Sequence, residues 1–113
     1  MPRRSSRRSS RTLAFLAAAL GLGLGAAEPA ARSTTHTVVM EAVSFRPGVL
    51  TVGVGDAVVW QNKDLFPHTA TSTAFDSKII AVDRSWKYVA KARGEVPYVC
   101  SLHPTMKGTL RVR

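Results

Sequence analysis

The sequence predicts an all-β fold, a β-sandwich of two sheets and about seven strands. Three observations carry that reading. Short segments rich in β-branched and aromatic residues alternate with turn residues, and several of them place apolar side chains at every second position. No stretch beyond the first 27 residues sustains the i, i+3, i+4, i+7 apolar recurrence of a helix. In chain order, strands are expected at 37–42, 50–54, 57–62, 69–73, 86–92, 96–100 and 109–113. Pro47-Gly48, Gly55-Asp56, Lys63-Asp64, Gly94 and Gly108 punctuate them. Leu50, Val52 and Val54 alternate with Thr51 and Gly53; Trp86, Tyr88 and Ala90 with Lys87 and Lys91; Leu110 and Val112 with Arg111 and Arg113. Strands with one apolar face each bury it by stacking two sheets. Pro97 has no N–H to give a ladder and belongs on an edge. The segment 75–84, with Ile79, Ile80 and Val82, reads either as an irregular strand or as one helical turn, and there is neither an internal repeat nor a second domain.

A chain of 113 residues and 12.2 kDa has room for one domain. Its N-terminus is expected to be a signal peptide over 1–27. Arginines at 3, 4, 7, 8 and 11 precede an uncharged run, 13–27, that ends in Gly25-Ala26-Ala27. Fifteen residues interrupted by glycines at 21, 23 and 25 fall short of the roughly 18 a membrane span requires, so export without stable membrane insertion is expected. Residues 28–36, with His36, read as a flexible tail, and 37–113 as the folded domain. Five of the sixteen basic side chains leave with the leader, so eleven remain against seven acidic ones and the net charge drops from +9 to +4. A basic patch interleaved with aromatics or a known binding motif is lacking, which argues against a nucleic-acid partner.

The lone cysteine, Cys100, cannot close an intramolecular disulfide, and a bare thiol in an oxidising compartment is a liability unless something occupies it. Cys100-Ser101-Leu102-His103-Pro104-Thr105-Met106 sets a thiolate, an imidazole and a thioether at i, i+3 and i+6, in a turn expected between the last two strands. His68 lies 32 residues earlier at another strand's edge. Singly, each side chain is better explained by packing or by an ordinary turn. Together, two imidazoles, a thiolate and a weak axial thioether form the ligand set of a type 1 copper electron-transfer site. Zinc competes for Cys and His, but structural zinc rarely recruits methionine. Four protein ligands leave no open position for a substrate, and His36, His68 and His103 are too few to build a multicopper cluster, so no enzyme is expected. A copper-binding carrier or chaperone without an electron-transfer role remains as the alternative.

Phe45, Pro47, Leu50-Thr51-Val52, Gly55-Asp56, Val58, Trp60, Asn62, Asp64 and Pro67-His68 carry a family resemblance. It continues through Phe75-Asp76-Ser77, Gly94, Tyr98, Cys100, His103-Pro104, Met106, Gly108 and Val112. On these residues the chain resembles a cupredoxin of the plastocyanin and amicyanin type, and the spacing of Cys100, His103 and Met106 is similar to amicyanin. The resemblance implies a Greek-key β-sandwich in the periplasm, holding one type 1 copper ion through His68, Cys100, His103 and axial Met106. It also implies a monomer that shuttles single electrons between redox proteins, of cytochrome or dehydrogenase type. Leu65, Phe66, Pro67, Leu102 and Pro104 are expected to form an apolar docking face around His103, with Lys63 and Lys107 at its rim. Thr69 departs from the family pattern, which has Asn after the first histidine to tie the two ligand loops together.

Overall fold

The computed structural model describes Pro2 and residues 32–113. The expected signal peptide, Pro2 apart, and residues 28–31 of the expected tail lie outside the described residues. Arg32–Arg113 is one compact unit.

Seven strands occur in it: β1 (Thr35–Glu41), β2 (Ser44–Arg46), β3 (Val49–Val52), β4 (Ala57–Asn62), β5 (Ser85–Val89), β6 (Gly94–Cys100) and β7 (His103–Val112). They form two mixed sheets, ordered β2-β1-β4-β5 and β3-β7-β6. Two pairings are parallel, β1 with β4 and β3 with β7, and the rest are antiparallel. The fold is the expected all-β sandwich, and among the described residues no helix is long and apolar enough to cross a membrane.

Strand periodicity builds the core. Val38 and Met40 of β1, Val58 and Trp60 of β4, and Met106, Leu110 and Val112 of β7 turn inward. Trp60 reaches across from the first sheet to Tyr98 of the second, ring centroids 5.4 Å apart and edge-on, and Phe45 meets the same tyrosine at 4.7 Å. Such aromatic contacts hold the sheets together through area and ring electrostatics alike. A Cβ on Gly108 would overlap the Tyr98 ring, which is why the residue opposite that tyrosine carries no side chain. Burial in this cluster pushes the Tyr98 phenol up to about 12.

Several elements differ from the sequence expectation. β1 begins at Thr35, so His36 is not in a loose tail: it lies opposite Val58 in the parallel pair, and its Nε2 is 2.9 Å from Asp56 Oδ2. β2 was not anticipated; three residues are too few for periodicity to register. The segment 69–73 is no strand, making isolated bridges from Thr71 to Val99 and Asp76. Its hydroxyls bond locally, and the chain reverses at once where Ser72 N–H donates to Phe75 C=O. Val54 is 48% exposed because the chain has already turned at Gly53–Asp56. In 75–84 there is no helix, only isolated bridges from Asp76 to Thr71 and from Ile80 to His68. Finally, β7 starts at His103 and not at 109, because β6 pairs with it back to His103 while β3 joins only from Thr109 onward.

Candidate metal centre

The length of β7 decides how the sulfur and nitrogen donors meet. Val99 opposes Lys107, yet the next residue, Cys100, opposes His103. The register break leaves Pro104, Thr105 and Met106 as extra residues on one side of the hairpin. Pro104 needs no ladder partner in such a bulge. Cys100 and His103 therefore face each other across a two-residue turn, and Met106 points into the core at 2% exposure. His68 arrives from the other sheet's side, at the end of the loop that follows β4, clamped to Ile80 by backbone bonds in both directions, of 3.2 and 2.7 Å.

The donors converge. Cys100 Sγ is 3.6 Å from His68 Nδ1 and 3.8 Å from His103 Nδ1, and all three donor atoms lie within 4.8 Å of one another. His68 and Cys100 are fully buried, while His103 is half-buried, with Phe66 6.2 Å away, centroid to centroid. Leu65, Phe66, Pro67, Leu102 and Pro104 are all exposed, as are Lys63 and Lys107.

Hydrogen bonding shows whether these side chains suit a soft metal. Asp64 Oδ2 lies 2.9 Å from His68 Nε2. A carboxylate only accepts, so Nε2 carries the proton and the Nδ1 lone pair faces the thiol, as a metal-ligating imidazole requires. The Asp64 carboxyl is held below its ordinary range, chiefly by His68 and then by the Val43 N–H. Cys100 Sγ accepts the Thr69 N–H at 3.3 Å. The set of two imidazoles, one thiolate and a buried thioether fits copper and offers no carboxylate to a hard ion.

Thr69 does what the expected Asn would have done. Its Oγ1 accepts the Ser101 N–H at 2.8 Å, tying the His68 loop to the Cys100 loop while its own N–H holds the sulfur. Sequence reasoning gave no role to Asn62 or Asp64. Asn62, buried, donates through Nδ2 to Phe66 C=O and Ile80 C=O and accepts the Asp64 N–H. An acid four residues before a candidate ligand was the available signal.

Comparison with known proteins places the chain in a class. It belongs to the cupredoxin-like domain family, whose sequence profile matches residues 12–112. Its fold is similar to that of amicyanin. A reduced amicyanin variant superposes with a TM-score of 0.66 at 25% identity, covering 78% of this chain and 89% of that one. A purple cupredoxin from Nitrosopumilus maritimus gives a TM-score of 0.66 at 24% identity over 69% of this chain and 99% of that one. The Cu-containing nitrite reductase from Thermus scotoductus SA-01 is 31% identical over 70% of this chain, with a TM-score of 0.66, but the chain spans only 22% of that protein's length. No curated protein matches. The cofactor is one type 1 copper ion, and His68, Cys100, His103 and Met106 are positioned as such a site.

Proposed function

We propose that this cupredoxin is an exported, monomeric carrier of single electrons, and that His68, Cys100, His103 and axial Met106 are its copper ligands. Copper bound there supplies a one-electron Cu(II)/Cu(I) couple. The observation that carries the reading is the gathering of three donors within 4.8 Å, two of them fully buried and the third, His103, half-buried under exposed apolar side chains. Cys100 provides the charged, polarisable sulfur, and the Thr69 and Ser101 backbone amides keep its loop from shifting when the charge of the site changes. His68 anchors from inside. His103 is the port, since it alone of the donors reaches the surface.

With four ligands from the protein, no position is left for a substrate, so the chain acts as a carrier and not as an enzyme. Leu65, Phe66, Pro67, Leu102 and Pro104 form the docking face for a redox protein of cytochrome or dehydrogenase type. Lys63 and Lys107 at its rim steer a partner with an acidic surface, an effect that weakens with salt. Export rests on the leader at 1–27, and the mass of the secreted protein tests cleavage after Ala27.

The deciding experiment is the visible spectrum after addition of Cu(II). Intense thiolate-to-copper absorption at red wavelengths is expected, and Cys100→Ser removes it while the sandwich stays folded. Weak bands only in the wild type would instead indicate a copper-delivery protein, and retention of the intense band in Cys100→Ser would sink the ligand assignment.

A further inference from the structure

The two-residue hairpin between β1 and β2 is built against its own sequence. Glu41 opposes Ser44, and the residues between them, Ala42 and Val43, have φ of 50° and 53°. Turns of this shape favour Asn and Gly, because a Cβ crowds the left-handed region, and a β-branched side chain crowds it most. Neither residue gains burial in exchange, since both are exposed. What the conformation achieves is to aim the Val43 N–H at Asp64 Oδ2, 2.8 Å away and 21 residues on. The same oxygen receives the His68 Nε2 proton at 2.9 Å. Its partner oxygen, Oδ1, accepts the Leu65 N–H at 2.9 Å, and the Asp64 N–H is held by Asn62 Oδ1 at 2.9 Å. Lys63 N–H donates to Met40 C=O at 2.9 Å, so the loop is also stitched to β1 just ahead of the turn.

We infer that Asp64 is a positioning residue for His68 and that the Ala42-Val43 turn positions Asp64, so that an exposed hairpin tip controls the orientation and electron-donating power of the buried imidazole. The inference rests on the copper reading above. The chemistry follows from the bonds. A carboxylate on Nε2–H fixes the tautomer, orients the ring, and makes Nδ1 a stronger donor. Its negative charge favours the more positive state of the centre, Cu(II). The turn sets how firmly that carboxylate is held, because the Val43 N–H and the His68 ring share one oxygen.

The test uses the full chain, each variant first checked for a wild-type amide spectrum. In the metal-free protein, nitrogen NMR of the His68 ring is expected to show a slowly exchanging Nε2–H, lost in Asp64→Leu. That variant is expected to bind Cu(II) about 10- to 100-fold more weakly, the usual cost of losing such a partner. Asp64→Asn keeps an acceptor but not the charge; its intense band should remain and its reduction potential should rise. Ala42→Asn with Val43→Gly suits the turn and keeps the N–H, so the potential should stay at the wild-type value. Two glycines inserted between Ala42 and Val43 displace the N–H and should raise it. An unchanged Nε2–H signal and Cu(II) affinity in Asp64→Leu would overturn the role of Asp64. A wild-type potential in the insertion variant, with a raised one in Asp64→Asn, would overturn the role of the turn. Failure of the copper reading is seen separately, as a wild-type protein without the intense band but with the His68 signal intact.

Discussion

The two imidazoles of the site sit in loops of opposite character. His68 is sealed from solvent, with both backbone groups tied to Ile80 and its outer nitrogen tied to Asp64. His103 opens β7 half-buried, beside the exposed Phe66, and is placed by a tight hairpin opposite Cys100. The difference teaches how a small sandwich divides one ligand set between anchoring and access. Hydrogen bonds are concentrated on the enclosed ring, and the ring that reaches the surface is left to backbone geometry and a thin apolar cover.

Removing each ring separates the two roles most sharply. His103→Gly should lose the intense band and regain it with added imidazole, because the gap opens towards solvent. His68→Gly should lose the band without such rescue, since that gap lies inside. Equal rescue of both, followed by visible titration, would erase the distinction.

A smaller effect is expected at Met106, which is buried on β7. Met106→Leu and Met106→Gln should keep copper bound and move the potential in opposite directions, upward for the hydrocarbon and downward for the harder amide oxygen, as voltammetry would show. Wild-type potentials in both variants would place Met106 outside the ligand set.

The bridge between the loops comes next. Thr69→Val leaves the Ser101 N–H without its side-chain acceptor, and a loss of about 1 kcal/mol in stability is expected from denaturant titration. Wild-type stability in Thr69→Ser would assign the loss to the hydroxyl, and an equal loss in Thr69→Ser would refute it.

The smallest effect lies farthest away and serves as a control. The Asp56 carboxyl is pulled down to about 2 by the Thr34 and Gly53 amides and by His36. A carboxyl depressed by folding adds stability above its ordinary value of about 4, and that contribution is lost as pH falls towards its folded value. Amide exchange at the start of β1 should therefore quicken between about pH 4 and 2, the window set by those two values. Asp56→Asn should remove this acid step.

The same contrast explains what was legible in advance. Cys100, His103 and Met106 stand within seven residues of one another, and their chemistry is readable from spacing alone. β4 was expected at 57–62 and is found there, because its apolar pattern serves a strand flanked on both sides. Thr69–Thr73 misled for the converse reason: β-branched residues announce a strand, but hydroxyls bonded to Ser101 and Asp76 took the chain elsewhere. His36 was misplaced because its partners, Val58 and Asp56, lie about twenty residues away.

By itself the sequence determined the all-β class, the inward faces of most strands and the type of ligand set, since each depends on residue type and on spacings of two or three positions. Tertiary structure alone decided the parallel pairings of β1 with β4 and β3 with β7, the register break that brings Cys100 opposite His103, and the Asp64 bond that orients His68. Those outcomes come from competition among distant partners for the same backbone and side-chain hydrogen bonds, which no local pattern in the chain records.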